Sequence, residues 1–387
     1  MARALYIHWP FCAKKCPYCD FNSHVRASVD ADAWEKALIA DMRTEHQAAG
    51  GETLTSIFFG GGTPSLMPAR LVARLLDEAR RLWGFASEIE ITLEANPSSV
   101  EAANFADLAA AGVNRVSLGI QSLDDGALQW LGRLHGASEA LRALETAQAA
   151  FARVSFDLIY ALPGQTANEW DAQLARALGF GTSHLSLYQL TIEPGTRFET
   201  DVRLGRFAPL DDDEAAELYA LTQVRTSAAG LPAYETSNHA RPGEESRHNL
   251  TYWRYQDYCG IGPGAHGRRT SGGSSFATVR NKKPENFLRA VSERGHGIHE
   301  QRNLAREERV AEALLMGLRL VEGIDMAAFE ERFAMPRWAM VSERALATYS
   351  DLGFVWQRGE RIGVAPKGMG VLNTLIEALV ADELVQV

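Results

Sequence analysis

The segment Cys12-Ala13-Lys14-Lys15-Cys16-Pro17-Tyr18-Cys19 places three cysteines within eight residues. The 387-residue chain has only four cysteines, and the fourth, Cys259, lies far from this segment. A disulfide framework fits poorly, because the chain is large and such pairing would leave odd thiols. Three thiolates in a C-x3-C-x2-C spacing can instead hold three corners of a cubane iron–sulfur cluster. The fourth iron would then be open to another ligand.

Zinc is the alternative metal for the same cysteines. A structural zinc site needs four ligands, and the nearby candidates are His8, His24 and Asp20. These residues do not give the paired C-x2-C spacing of common zinc modules. The spacing therefore favours an iron–sulfur cluster over zinc.

The cysteines follow the first of six short apolar segments that alternate with amphipathic ones. The predicted strands are residues 4–9, 56–59, 89–93, 115–120, 155–160 and 184–190. The predicted helices are residues 32–45, 69–82, 100–110, 138–150 and 168–178. Such a β-then-α series predicts an α/β fold with a parallel sheet, either doubly wound or curled into a partial barrel. Because parallel strands end at one edge, we expect the six following loops to meet on one face.

The second half of the chain has a different pattern. A predicted helix over residues 210–228 precedes a glycine- and aromatic-rich α+β stretch over 234–280. Further helices over 326–333, 338–350 and 368–380 surround a hairpin over 354–364, which suggests a small helical, winged-helix-like module. We therefore predict a partial barrel over residues 1–205, an extension that carries a binding segment over 206–304, and a C-terminal module over 305–387.

Charge and hydropathy exclude several classes of function. The chain has 39 basic and 49 acidic residues, a net charge of −10, which argues against non-specific binding to nucleic acid. The C-terminal module holds nine basic and thirteen acidic residues, so we expect it to pack or to bind a partner rather than to read DNA. No apolar run approaches the length of a membrane span or a signal core. We expect a cytoplasmic protein, with peripheral membrane contact left open.

The cysteine segment resembles the signature of the radical S-adenosylmethionine (SAM) family, in which an aromatic residue precedes the third cysteine. The resemblance implies a partial (β/α)6 barrel and a [4Fe-4S] cluster held by Cys12, Cys16 and Cys19, with SAM chelating the open iron. It extends to oxygen-independent coproporphyrinogen III oxidases and to HemW-type heme chaperones. The shared motifs are LYIH (residues 5–8), FGGGTP (59–64), LGIQS (118–122), DLIYALPGQ (157–165) and HNLTYW (248–253).

The same resemblance implies a set of SAM-binding residues. The Gly61-Gly62-Thr63 turn would pair with the amino group of SAM, and Glu94 would accept hydrogen bonds from the ribose hydroxyls. The remaining residues of the set are Gln121, Arg133 and Asp157 in the pocket, and Tyr6 and Tyr18 beside the methionyl group and the adenine. Without the resemblance, the glycine segment could be a purely structural turn. The polar residues could be surface or helix-capping groups, and the tyrosines could be core aromatics.

Residues 248–259 form the candidate heme-binding segment. Its aromatic residues are Tyr252, Trp253, Tyr255 and Tyr258, a density that suits a flat macrocycle. His248 or Cys259 could ligate heme iron, and a purely structural histidine is the alternative. The resemblance supports His248, because the His-Asn-x-x-Tyr-Trp motif marks the heme-binding branch, and it gives Cys259 no such support. The glycine-rich stretch over 260–266 is predicted to form a tight turn at the edge of the same cavity.

Two departures from the oxidase pattern bear on function. The oxidases carry a further cysteine two positions after the third, whereas Cys19 is followed by Asp20 and Phe21, and they have a longer segment before the cluster. Both departures favour a heme chaperone that gives heme to apo-hemoproteins, including respiratory ones. The alternative is oxidative decarboxylation of coproporphyrinogen III, and a third reading is modification of another substrate. Enzymatic activity, covalent heme attachment and a homodimer stay open.

Overall fold

A computed structural model describes residues 3–50, 52–381 and 384 of the chain. Its strands are β1 Ala4–Trp9, β2 Phe11–Cys12, β3 His24–Val25, β4 Leu54–Gly61, β5 Phe85–Ala95, β6 Arg115–Gln121, β7 Arg153–Tyr160, β8 His184–Gln189, β9 Asn238–Ala240, β10 Tyr258–Ile261, β11 His266–Ser271, β12 Ser274–Arg280, β13 Ile298–Asn303, β14 Ile324–Asp325, β15 Val355–Arg358 and β16 Arg361–Val364. Its helices are α1 Ala31–Ala49, α2 Ala69–Trp83, α3 Ser99–Ala102, α4 Phe105–Ala110, α5 Asp125–Trp130, α6 Ala137–Ala150, α7 Ala167–Leu178, α8 Arg197–Arg203, α9 Asp212–Ala228, α10 Arg247–Trp253, α11 Pro284–Arg294, α12 Arg306–Gly317, α13 Met326–Phe333, α14 Arg337–Met340, α15 Glu343–Asp351 and α16 Leu372–Leu379.

The main sheet confirms the predicted α/β fold. Its order is β13-β12-β11-β10-β1-β4-β5-β6-β7-β8-β9, and the six predicted strands, β1 and β4 to β8, are parallel neighbours. The segment after residue 205 extends both edges of this sheet. Strand β10 pairs in parallel with β1, and β9 pairs antiparallel with β8. The loops that follow the parallel strands therefore share one face with the loop that follows β10.

The parallel strands are largely buried: every residue of β6 except Gln121 is buried, as are six of the eight residues of β7. Helix α1 begins at Asp30, whose carboxylate accepts the backbone N–H groups of Asp32 and Ala33. Helix α7 begins with a reciprocal capping box between Thr166 and Glu169. Trp34 of α1 stacks on Phe287 of α11 with ring centroids 5.8 Å apart, so the added segment shares the barrel's core.

Three predicted helices differ from the structure in detail. The predicted helix over 100–110 is divided at Ala103 and Asn104 into α3, which Ser98 caps at its N-terminus, and α4. The predicted helix over 338–350 is divided into α14 and α15, and Val341 between them forms an isolated bridge with Val380. The predicted helix over 368–380 begins as the 3-10 turn Pro366–Val371. Hydrophobic periodicity does not report these breaks.

The C-terminal helices enclose a second hydrophobic core that runs from Val310 to Leu384. The predicted hairpin is present as β15 and β16, and β14 adds a third strand beside β16. Tyr255 packs on this core, and Arg268 forms an ion pair with Glu312 at 2.7 Å across the junction. The boundaries after residues 205 and 304 stay predictions.

A buried ion network joins α1 to the added strands. Arg280 at the end of β12 is fully buried and contacts the carboxylates of Asp41, at 3.4 Å, and Glu45. Asp41 also accepts the backbone N–H groups of Gly262 and Gly297. Removing one partner of a buried pair leaves an uncompensated charge, which costs more than the pair itself contributes.

We expect Arg280→Ala to lower the free energy of unfolding by about 3–5 kcal/mol, because Asp41 would lose its buried counter-ion and Glu45 would keep only Arg269. Arg289→Ala is the matched control, since Arg289 is exposed and should change stability by less than about 0.5 kcal/mol. Urea unfolding of the three proteins measures both values. Equal stability of the two variants would show that the network does not hold the added strands.

Candidate functional site

The glycine turn after β4 is fixed against the start of the cysteine loop. The N–H of Gly62 donates to the carbonyl of Trp9 at 2.7 Å, and the N–H of Thr63 donates to that of Phe11 at 2.8 Å. A Cβ atom on Gly62 would lie 2.6 Å from the Phe11 oxygen, and one on Gly61, whose φ is 111°, would lie 2.5 Å from the ring of His8. Glycine is therefore required at both positions.

The three clustered cysteines lie half-buried around one cavity, as free thiols. Thr63 Oγ1 donates to Cys12 Sγ at 3.4 Å, and Arg133 donates to Cys16 Sγ at 3.3 Å. Burial raises the pKa of the Cys12 and Cys19 thiols. Donors aimed at sulfur stabilise thiolates, which are the form that binds iron.

The three thiols are not arranged to chelate a single ion. In the described residues, no group of three His, Cys, Asp or Glu side chains is close enough to hold one metal. Each cysteine of a cubane binds a different iron, so a wider separation suits a cluster. Cys259 lies apart from them on β10, fully buried, where burial and the carboxylate of Glu45 raise its pKa.

Arg133 connects the cysteine loop to the ends of two strands, β5 and β6. Its guanidinium donates to Asn96 Oδ1 after β5, to the carbonyl of Gly119 at 2.8 Å and to the hydroxyl of Tyr18 at 3.4 Å. Its buried Nε has no hydrogen-bond partner among the described residues. An orphaned guanidinium N–H beside the cysteines fits a ligand that carries a carboxylate, as SAM does.

Two buried carboxyl groups form the opposite wall. Glu94 Oε2 accepts the N–H of Gly61 at 3.2 Å, and Asp157 accepts from Ser117 Oγ at 3.1 Å. Burial, with repulsion from Asp157, raises the pKa of Glu94 to about 8, and burial raises that of Asp157 to about 6. Two such acids fit a cationic ligand, because a nearby positive charge restores their ionised forms.

The structure brings most of the predicted SAM residues to one cavity of about 140 Å³. Its lining includes Cys12, Cys16, Tyr18, Cys19, Gly61, Gly62, Thr63, Glu94, Gln121, Arg133 and Asp157. Gln121 has a φ of 72°, an uncommon value for a side chain larger than glycine, at the end of β6. Asn96 was missed in the sequence as a site residue. It bridges Arg133 and Thr63, and its position directly after a strand was the available signal.

Tyr6 lies in the neighbouring cavity, which has a volume of about 560 Å³ and shares Gly61 and Glu94 with the first. Its hydroxyl donates to His8 Nδ1 at 3.0 Å, and His8 Nε2–H donates to the carbonyl of Asn22 at 2.9 Å. Both nitrogens of His8 are therefore engaged. Sequence reasoning gave no role to His8 beyond zinc, and none to Asn22.

His248 is buried beneath the same neighbouring cavity, with 1% of its surface exposed. Its Nδ1 hydrogen-bonds to Ser56 Oγ at 3.0 Å, and its Nε2 hydrogen-bonds to the hydroxyl of Tyr252 at 2.7 Å. Burial lowers the pKa of His248 to about 3, so the ring is neutral. Iron ligation by His248 stays a prediction, and it would require one of these hydrogen bonds to open.

Two family models match the chain. The radical SAM superfamily matches residues 6–175, and the HemN C-terminal domain matches residues 304–371. In the described part of the chain, no helix combines the length and apolar character needed to cross a lipid bilayer.

Several curated proteins are similar to most of the chain. A mitochondrial radical S-adenosyl methionine domain-containing protein 1 from Mus musculus is 43% identical over 83% of this chain and 74% of its own length. The heme chaperone HemW from Escherichia coli is 40% identical over 84% of this chain and 85% of its own. HemW from Haemophilus influenzae is 36% identical over 98% of each chain.

The solved structure of coproporphyrinogen III oxidase (HemN) from Escherichia coli has the same fold. The TM-score is 0.81 at 22% sequence identity, over 97% of this chain and 89% of that one. This likeness supports the architecture of the whole chain, including the strands added after the barrel.

We expect Cys12→Ser, Cys16→Ser and Cys19→Ser each to lose most of the iron and sulfide taken up in anaerobic reconstitution, because each thiolate binds a separate iron. Cys259→Ala should keep the wild-type content, since Cys259 is buried away from the cavity. Iron and sulfide analysis with the visible spectrum measures the outcome. Loss of the cluster in Cys259→Ala alone would contradict the assignment.

We expect Glu94→Gln to change how the stability of the cluster-free protein depends on pH. The pKa of Glu94 is about 8 when folded against an ordinary 4.5, so the wild-type protein loses stability as pH rises from about 4.5 to about 8. Between pH 6 and pH 8 this loss is about 2 kcal/mol, and the glutamine variant should lack it. Urea unfolding at both pH values measures the difference, and parallel behaviour of the two proteins would contradict it.

Proposed function

Since the chain belongs to the radical SAM superfamily, we propose that it is a heme chaperone that binds heme and transfers it to apo-hemoproteins. Similarity to proteins named heme chaperone HemW runs over nearly its whole length and supports this proposal. The structural observation that carries it is the cavity beside the cysteine pocket. Its wall combines the aromatic rings of Tyr252 and Tyr258 with the ammonium groups of Lys15 and Lys282. Aromatic faces and cations suit a flat macrocycle that carries carboxylates.

The proposal includes a [4Fe-4S] cluster and SAM in the adjoining pocket. When bound, the cluster would supply an iron that SAM chelates through its amino and carboxylate groups. Cys12, Cys16 and Cys19 would hold the cluster, while Thr63 and Arg133 donate to their sulfurs. Glu94 would accept the ribose hydroxyls and Asp157 would face the cationic part of the ligand. Gly61, Gly62, Gln121 and Tyr18 would complete the pocket, with Tyr6 at its border.

The role proposed for His248 acts through Tyr252. Tyr252 lies on the cavity wall, and its ring packs edge-on against Tyr258 with centroids 4.4 Å apart. The hydrogen bond from His248 fixes the Tyr252 hydroxyl from below. Through this contact, the His-Asn-x-x-Tyr-Trp motif helps to shape the cavity without any need for His248 to bind iron.

Location and partners follow from the same proposal. Three cysteines that bind iron need a reducing compartment, which favours the cytoplasm. The similar proteins from Mus musculus and Bos taurus are named as mitochondrial, so similar chains also occur in that organelle.

Apo-hemoproteins, including respiratory ones, are the proposed acceptors, and a homodimer and peripheral membrane contact stay predictions. The proposed units remain residues 1–205, 206–304 and 305–387, supported by a second core that begins at Val310.

Oxidative decarboxylation of coproporphyrinogen III is the second candidate. The observation that favours it is the fold shared with the HemN structure. At that level of identity the likeness reports architecture and not activity. Asp20 stands next to Cys19, and the oxidases' additional cysteine would follow at the position of Phe21. This difference favours the carrier.

We expect the anaerobically reconstituted protein to bind one heme per chain in a titration followed by visible absorption. With SAM and a reductant it should convert no coproporphyrinogen III, because the cavity is proposed to retain a finished macrocycle. Chromatography of the porphyrins measures conversion, with the Escherichia coli coproporphyrinogen III oxidase as the active control. Robust decarboxylation without saturable heme binding would make the oxidase the correct assignment.

A further inference from the structure

The cavity beside the cysteine pocket is enclosed by three parts of the chain that are distant in sequence. Lys15 and Phe21 come from the cysteine loop, Tyr252 and Tyr258 from α10 and β10, and His266 from the first position of β11. Lys282 follows β12. We call this space the histidine cavity. Lys15, Phe21, His266 and Lys282 on its wall are exposed, so the cavity is open to solvent on their side.

The histidines near this cavity differ in whether their nitrogens are available. Both ring nitrogens of His8 and both of His248 are hydrogen-bonded. His24 also lines the cavity, and its buried Nε2 has no hydrogen-bond partner among the described residues. The ring of His266 is exposed to the cavity, and no hydrogen bond to either of its nitrogens is found in residues 3–50, 52–381 and 384. Because the unbonded nitrogen of His24 is buried whereas the ring of His266 is exposed, His266 is the histidine that a metal in the cavity can reach without breaking an existing contact.

The protonation state of His266 suits metal binding. Burial, with the positive charges of Arg268 and Lys282, lowers the pKa of His266 below its ordinary value. The imidazole is then neutral near pH 7, and a metal does not have to displace a proton from it. Arg268 is already paired with Glu312, so Lys282 is the charge of the two that can attract an anionic ligand to this end of the cavity.

Two lysines provide that attraction at the cavity itself. Lys15 and Lys282 are both exposed, and in the described part of the chain neither ammonium group forms an ion pair. Glu94, whose pKa is about 8, is largely uncharged at neutral pH, and Asp20 is the other carboxyl group on the wall. Lysine ammonium groups bind carboxylates as mobile point charges and do not need a fixed geometry.

We propose that the histidine cavity is the heme site, with the His266 imidazole as an axial ligand of the iron and Lys15 and Lys282 paired with the heme carboxylates. The inference rests on the proposed heme-binding function and specifies where that binding occurs. Tyr252 and Tyr258 would supply the aromatic wall for the macrocycle. His248 would then be a positioning residue, which holds Tyr252 and does not contact iron.

The ligand assignment is tested with His266→Ala, His248→Ala and the control His299→Ala in the full chain. His299 is exposed on β13 and does not line the cavity. Ferric heme is titrated into each protein and followed by visible absorption and electron paramagnetic resonance. The wild-type protein, His299→Ala and His248→Ala should share one histidine-ligated spectrum, with weaker binding in His248→Ala. His266→Ala should lose this spectrum, and added imidazole should restore it.

Each other outcome has a defined meaning. If His266→Ala keeps the wild-type spectrum and His248→Ala loses it, the inference is wrong and the heme-chaperone proposal stands with His248 as ligand. If the wild-type protein binds no heme saturably, the proposed function fails together with the inference. Thermal unfolding of each variant accompanies the titrations, and the exposed position of His266 predicts a wild-type midpoint for His266→Ala.

The carboxylate contact is tested with Lys282→Ala against Lys283→Ala. Lys283 is also exposed but lies outside the cavity, so the two variants remove the same charge at adjacent positions. Lys282→Ala should weaken heme binding about two- to fivefold, the range of an exposed ion pair. Heme dimethyl ester lacks the free carboxylates, so the same variant should leave its affinity unchanged. The proposed contact would be wrong if Lys283→Ala weakened heme binding as much as Lys282→Ala does. It would also be wrong if Lys282→Ala weakened the binding of heme and of heme dimethyl ester equally.

Discussion

The parallel pairing of β1 with β4 on one side and β10 on the other is the constraint on which the site depends. Tyr6 lies beside Phe58 in one pair and beside Gly260 in the other. Parallel neighbours end at the same edge, so three loops become adjacent: the cysteine loop, the Gly61-Gly62-Thr63 turn and the segment that leads to His266. Their separation in the sequence is irrelevant once the strands pair. One strand thus places the cysteine loop beside both cavities.

Backbone contacts make this adjacency rigid. The N–H of Gly62 reaches the carbonyl of Trp9, and Asn22 donates to the carbonyls of Pro263 and Lys282. The cysteine loop is therefore tied to the glycine turn on one side and to the β10–β11 segment on the other. Binding residues held by backbone hydrogen bonds keep their geometry without a ligand, which lowers the ordering cost of binding. The buried pair of Arg280 with Asp41 and Glu45 supports the second of these ties from below, because Asp41 also accepts the N–H of Gly262.

The parts of the fold that were predictable from sequence are those that local patterns encode. The six apolar strands of the barrel were recovered because buried parallel strands are continuously apolar and glycine or proline turns bound them. Strand β10 was not predicted to pair with β1, since Tyr258 to Ile261 carries no mark of its partner. The breaks at Asn104 and Val341 are not contained in hydrophobic periodicity, and the second coincides with a bridge from Val341 to Val380, which lies far along the chain.

The site residues also divide into those that local sequence patterns predict and those whose placement depends on long-range packing. Cys12 lies just after β1, Gly61 and Glu94 lie at the ends of β4 and β5, and Arg133 follows α5. Motif and strand topology together predicted that these residues would meet. Whether a side chain points into a cavity or beneath it depends on the packing of its helix. His248 lies on the inner face of α10, against Ser56 of β4, and the aromatic density of its segment does not reveal that face.

The two cavities share Gly61 and Glu94, and this has a thermodynamic consequence. Glu94 is kept largely protonated by burial and by Asp157, and a cationic ligand on the cysteine side would favour its ionised form. An ionised Glu94 places a negative charge on the wall of the histidine cavity, close to where the heme carboxylates would lie. Occupancy of one cavity must then change the affinity of the other by the same factor in both directions. A carrier with this wall can weaken its hold on an anionic macrocycle when SAM binds, without any step of bond cleavage.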